Sequence, residues 1–66
     1  MQIELNGTRR EFPPAATVDD LIATLDLAGR RVAVEVNGSV VPASEHGRRC
    51  LAEGDRVELI GAIGGG

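Results

Sequence analysis

The sequence predicts a two-layer α+β domain in which one mixed sheet of four to five strands packs on one main helix. Three observations carry that prediction. Apolar residues alternate with polar ones at Met1-Ile3-Leu5, at Val32-Val34-Val36 and at Val57-Leu59, the period of strands with one buried face. The dipeptide Asn-Gly, which favours two-residue hairpin turns because both residues tolerate positive φ, occurs at Asn6-Gly7 and again at Asn37-Gly38. Between these hairpins Val18, Leu21, Ile22 and Leu25 fall at i, i+3, i+4 and i+7, a single helical stripe that can cover one face of one sheet.

The elements follow in order. Thr8 to Phe12 is expected to run back antiparallel to the first strand, and Pro13-Pro14 ends that pairing because proline has no N–H to donate. Phe12, the only aromatic residue, is assigned to the core or its edge. Thr17 is placed to cap the helix, with Asp20 three residues on in the position of the capping-box acid. Asp19 and Asp20 also suit the positive end of the helix dipole. Gly29 is placed to end the helix or to form the loop after it. After the second hairpin, Ser39-Val40-Val41 returns briefly before Pro42, and Ser44 is a candidate cap for a helical turn running toward Cys50. Glu53-Gly54-Asp55 reads as a turn, and Arg56 to Ile60 as the last strand, with Val57 and Leu59 on one face and Arg56, Glu58 and Ile60 on the other. A right-handed crossover through the helix brings a later strand parallel to the first. The resulting hairpin, helix, hairpin and last strand describe a β-grasp, or ubiquitin-like, roll whose second sheet face stays open.

Size and composition narrow the function. Sixty-six residues make one domain. A chain of that size buries only about 60% of the surface its unfolded form exposes, which leaves little room for an enclosed nucleotide pocket. The net charge of −3 argues against nucleic acid, which wants a basic patch. All seven basic residues are arginines, so the α-amine of Met1 is the only amine that could accept an acyl group. The single cysteine, Cys50, allows no internal disulfide. No charged-then-apolar signal pattern opens the sequence, and no apolar run approaches the ~20 residues of a membrane span. A cytoplasmic location is the expectation.

The sequence closes on Leu59-Ile60-Gly61-Ala62-Ile63-Gly64-Gly65-Gly66, an apolar run that passes into three glycines. Two readings stand side by side. Glycines at a terminus cannot pack, and a frayed tail is the ordinary expectation. Alternatively the α-carboxylate of Gly66 is the working group, carried on a slim thread that reaches up to ~17 Å beyond the fold at ~3.3–3.6 Å per residue. Either way the division is a folded domain over residues 1–61 and a flexible C-terminal tail over 62–66.

Several residues together make the sequence similar to a known family. They are the opening Met1-Gln2-Ile3 with Asn6; the helix start Thr17-Val18 with Leu21 and Leu25; the hairpin Val36-Asn37-Gly38-Ser39-Val40-Val41-Pro42; then Gly54-Asp55, Val57-Glu58-Leu59 and the final Gly65-Gly66. In this order and spacing they resemble the sulfur carrier proteins of thiamine biosynthesis, the ThiS family, over essentially the whole length. Two departures are visible. Where that family commonly has Arg-Ser-Glu-Trp, this sequence has Ala43-Ser44-Glu45-His46, and three glycines stand at the end in place of two.

The resemblance implies a protein co-substrate and not an enzyme. A terminal carboxylate is ionised at neutral pH and is a poor electrophile. The sequence carries no Gly-x-x-x-x-Gly-Lys-Ser/Thr phosphate loop, so activation is expected from a second protein. By the resemblance, an adenylating enzyme of the ubiquitin-activating type, using ATP and magnesium, activates Gly66; persulfide sulfur then displaces AMP, and the thiocarboxylate donates sulfur to thiazole synthase. The carrier itself binds no cofactor and no metal. Gly64 and Gly65 would thread the partner's channel, while Ile60, on the open face, and Ile63, at the tail root, are the candidate partner contacts.

The remaining candidates receive structural roles. Cys50, next to Leu51 and with no partner thiol, is expected to be a small buried hydrophobe and not a sulfur relay. His46 has no second ligand or base at useful spacing and is assigned to the surface or to loop packing. Asp19, Asp20 and Glu53 are assigned to caps and turns. Three alternatives share the pattern: the small subunit of molybdopterin synthase, with the same tail chemistry; a ubiquitin-like modifier joined to lysines; and a plain β-grasp interaction module.

Overall fold

The computed structural model describes residues 1–61. Strands β1 (Gln2–Leu5) and β2 (Thr8–Glu11) form the first hairpin, and β3 (Val32–Val36) and β4 (Ser39–Val41) the second. At both turns the two central residues have positive φ (Asn6 48° and Gly7 84°, Asn37 52° and Gly38 85°), the turn whose twist matches that of the flanking strands. Helix α1 (Val18–Thr24) lies between the hairpins, a 3-10 turn (Ala43–Glu45) follows β4, and β5 (Arg56–Gly61) comes last. The five strands line up as β2-β1-β5-β3-β4. β5 is central, parallel to β1 and antiparallel to β3, so the mixed sheet and the parallel closing pair are as the sequence predicts. This is a β-grasp fold.

Helix α1 starts as expected and ends with its apolar stripe. Thr17 Oγ1 accepts from the Asp20 N–H at 3.2 Å, and Asp20 Oδ2 accepts from the Thr17 N–H at 2.9 Å, a reciprocal capping box. The helix ends at Leu25 because Asp26 turns left-handed, at φ 61°. Its N–H then bonds Ala23 O, and the Leu27 N–H bonds Ile22 O, both at 3.0 Å, which satisfies two end carbonyls in a Schellman motif with aspartate in the usual glycine position. Leu27 packs against the core from this motif. Gly29 therefore belongs to the following loop.

The stripe and the strands meet in one core of thirteen buried apolar residues, among them Ile3, Val18, Leu21, Val34, Val36 and Val57 at 0–1% exposure, with Phe12 inside. Fully burying such a side chain contributes about 1.5–3 kcal/mol, so the helix is held by tertiary contact more than by its own seven-residue length.

Two expectations are corrected in the segment after β4. Ser44 does not cap a helical turn: the 3-10 turn starts from Pro42 and has no side-chain cap, with Ser44 inside it. Cys50 is exposed and not buried. The reason is alternation along an extended segment. Cys50 bridges antiparallel to Thr17, and the Leu51 N–H bonds Ala16 O at 2.8 Å, which turns Leu51 into the core and Cys50 outward. His46 takes the loop-packing role: it is buried, and its Nε2–H donates to Val41 O at 3.0 Å, since a carbonyl can only accept.

Candidate functional site

The site assembles around the end of β5. Because β5 is the central strand, its position is fixed from both sides, and two turn asparagines add to this. Asn6 Oδ1 accepts from the Leu59 N–H at 2.9 Å, across 53 residues of sequence. Asn37 Oδ1 accepts from the Arg56 N–H at 2.9 Å, while its Nδ2 donates to Asp55 Oδ1 at 3.0 Å. Asp55 in turn accepts from the Ala52 N–H, and Glu53 Oε1 accepts from the Gln2 N–H at 2.9 Å, which closes the turn ahead of β5 onto β1. Each hairpin turn thus sets its own geometry and also clamps the strand that carries the tail.

β5 ends at Gly61, which is still registered with Val32. Gly61 has φ +133°, and a Cβ there would lie 3.1 Å from Arg31 O. Both conditions select glycine. Gly61 was not among the residues the sequence marked for function, although an isolated glycine at the end of a strand pattern signals a close backbone approach. Ile63, Gly64, Gly65 and Gly66 lie outside the described residues.

Strand alternation divides the residues near this end. Val57 and Leu59 face the helix and are buried, whereas Arg56, Glu58 and Ile60 face the open side. Ile60 is 50% exposed, where the sequence placed it. It has an apolar neighbour that sequence reading missed: Val40 on β4, 68% exposed. Ala33 is registered with Ile60, and Glu35 with both Glu58 and Val40, so these five residues share one patch of the open face. A groove of about 1020 Å³ reaches from Ile60 and Gly61 around the edge of β4 to Pro42 and His46. β4 pairs only as far as Val34, and the groove passes through the gap this leaves beside Val32 and Ala33.

The other groups considered for chemistry are spread apart. Cys50 bridges to the helix start at Thr17, and His46 is committed to Val41. The Met1 amine donates to Phe12 O at 2.7 Å and lies 3.8 Å from Glu11 Oε2. Asp20 is a capping residue and Glu53 a turn residue, as expected. Among the described residues no group of three or more His, Cys, Asp or Glu side chains is placed to hold a metal ion, and no helix is long and apolar enough to cross a membrane.

Known proteins share this fold, in which an exposed patch lies beside the glycine that ends the central strand. The ThiS family profile matches residues 3–66. The chain belongs to the ThiS family. A solved ThiS thiamine biosynthesis protein from Geobacter metallireducens superposes with a TM-score of 0.84, at 29% identity and over the full length of both chains. A thiazole synthase of Paramagnetospirillum magneticum is 38% identical over all 66 residues of this chain, and the uncharacterized protein ycf40 of Porphyra purpurea is 27% identical and 93% covered. The chain spans about a fifth of the length of the thiazole synthases it matches, so a segment similar to this ThiS-family chain forms part of those longer proteins.

Proposed function

We propose that this chain is a sulfur carrier that supplies the sulfur of the thiamine thiazole, with the α-carboxylate of Gly66 as the carrying group. The observation that carries this reading is the match to the ThiS family from residue 3 through the final glycine, residue 66. The relatives named thiazole synthase support the choice of acceptor, because a segment like this chain is joined to such a protein in one polypeptide. Joining two binding partners raises the effective concentration of one for the other.

The chemistry follows from the group. A partner adenylating enzyme lets a Gly66 carboxylate oxygen attack the α-phosphorus of ATP, with magnesium, and pyrophosphate leaves. The carbonyl carbon is now electrophilic. The terminal sulfur of a persulfide attacks it and AMP departs. A second thiol then cleaves the S–S bond, leaving the thiocarboxylate on Gly66 and a disulfide on the donor side. On thiazole synthase the acyl C–S bond breaks as the sulfur passes to the acceptor, water supplies the oxygen that takes its place, and the restored carboxylate is ready for another round. The carrier is consumed and reloaded. Gly64 and Gly65, with no Cβ, allow the end to enter a channel too narrow for other residues.

The test separates tail from body. Removal of Gly65-Gly66 is expected to shift the melting temperature by less than about 1 °C, since terminal residues contribute few contacts. The same truncation should abolish thiazole formation in a reconstituted system of adenylating enzyme, sulfur donor and thiazole synthase. Activity retained by the truncated protein would overturn the reading.

A further inference from the structure

The core is not closed at the end where β5 stops. Leu25, Leu27 and Val32 pack against it there, yet all three are only partly buried. Three causes meet at this place. Helix α1 ends at Leu25. β1 accompanies β5 only as far as Leu5 opposite Val57. The last helix-facing pair of the sheet, Gly61 opposite Val32, brings one side chain, where Leu59 opposite Val34 and Val57 opposite Val36 bring two each. Leu5, Leu25, Leu27 and Leu59 are left lining a groove of about 430 Å³. Apolar surface of this kind gains by being covered.

Register says which residue comes next. Val57 and Leu59 point to the helix, and the period of two gives the same face to Gly61 and then to Ile63. Continuing the β5–β3 register by one pair sets position 63 beside Arg30, whose N–H bonds Leu27 O at 3.0 Å. Leu27 thus borders that position. Two residues past Gly61 is a step of at most ~7 Å, and Ile63 is the one large apolar side chain in the sequence after Ile60.

We propose that in the free chain Ile63 seats on Leu25, Leu27 and Val32 and supplies the apolar group that Gly61 does not, closing this end of the core. The end of the chain then has two states. With Ile63 seated, Gly64-Gly65-Gly66 alone stand clear, a reach of ~10 Å, whereas residues 62–66 released together reach ~17 Å. A partner whose site lies deeper than the shorter reach must unseat Ile63. It shifts that equilibrium only by as much as it favours the released state, which an apolar pocket for Ile63 would supply. This consequence rests on the sulfur-carrier reading; the seat itself does not.

The test uses the chain alone. Ile63→Ser is expected to lower the melting temperature by about 4 °C or more, the scale on which burial of part of one isoleucine registers in a domain of this size. Removal of Gly65-Gly66 should move it by less than about 1 °C. In a Leu27→Ala background the Ile63→Ser shift should fall below about half, because side chains in contact do not add independently. Disulfide trapping reads the same contact by geometry, with oxidised glutathione as the electron acceptor and Cys50→Ser as the background. Ile63→Cys combined with Leu27→Cys should close an internal disulfide, a loss of about 2 Da, at least about tenfold faster than Ile63→Cys combined with Ala33→Cys. Ala33 is the control because it is exposed on the opposite face, paired with Ile60. An Ile63→Ser protein that melts within about 1 °C of wild type, fully additive substitutions, or equal trapping at Leu27 and Ala33 would overturn the proposal. A seated Ile63 in a chain that never acquires sulfur would sustain the seat and refute the carrier reading. A chain that loads sulfur while Ile63→Ser melts like wild type would do the reverse.

Discussion

The two faces of the sheet answer to different demands. On the helix side the strand residues that alternation points inward from β1, β3 and β5 are apolar and packed, apart from Val32, which is partly buried, and Gly61 opposite it, which is exposed. On the open side, strands β1, β3, β4 and β5 carry charges of both signs and the two exposed large apolar residues Val40 and Ile60. A covered face is dictated by burial, so its composition reports stability. An open face is under no such demand, so its composition is free to vary.

The sharpest way to break the covered face is Leu21→Asp. Leu21 is 0% exposed at the centre of the helix stripe. Loss of its packing alone costs about 2–5 kcal/mol, and a buried carboxylate with no partner adds to that. A domain of this size has about 3–10 kcal/mol in total, so the variant should be unfolded. Circular dichroism is expected to show no cooperative melt, and a native-like melt would refute the core assignment.

A smaller effect comes from the boundary between the faces. Gly61→Ala forces a Cβ to 3.1 Å from Arg31 O at φ +133°. Strain of that kind costs roughly 1–3 kcal/mol. Urea denaturation should show a lower midpoint at unchanged slope, and a midpoint equal to wild type would mean that the strand end is not fixed by this glycine.

The smallest effect has the opposite sign and belongs to the open face. Glu58→Gln removes one member of the Glu35–Glu58 pair, and relief of a cross-strand repulsion contributes a few tenths of a kcal/mol. The variant is expected to melt slightly higher than wild type at low salt, with the gain fading as salt is added. A lower melting temperature would mean that Glu58 serves the fold and would remove the contrast between the faces.

These differences also explain what was legible in the sequence. The helix cap, both Asn-Gly turns, the strand alternation and the parallel closing pair were readable because each rests on a local period or a local backbone preference. The role of Asn6 and Asn37 as clamps on β5 was not, because their partners lie 53 and 19 residues away. Cys50 was misplaced because its hydrophobicity was weighed without the extended pairing to Thr17 that fixes which neighbour turns inward. Of the two roles open to Gly29, it takes the loop, because aspartate at Asp26 already adopts the left-handed conformation that ends the helix. At the site, Ile60 was found by alternation alone. Val40 and the Glu35–Glu58 pair were invisible, since register across strands is written in no single segment.

The central claim is that Gly66 carries sulfur. The most direct measurement is intact-mass and fragment analysis after incubation with the adenylating enzyme, MgATP and a persulfide donor. One carboxylate oxygen should be replaced by sulfur, an increase of about 16 Da located on Gly66. Cys50→Ser should gain the same increment, since Cys50 faces solvent at the helix start and takes no part in the loading described above. A chain that folds and meets its enzyme but never acquires sulfur at Gly66, or that appears instead joined to lysines of other proteins, would contradict the account.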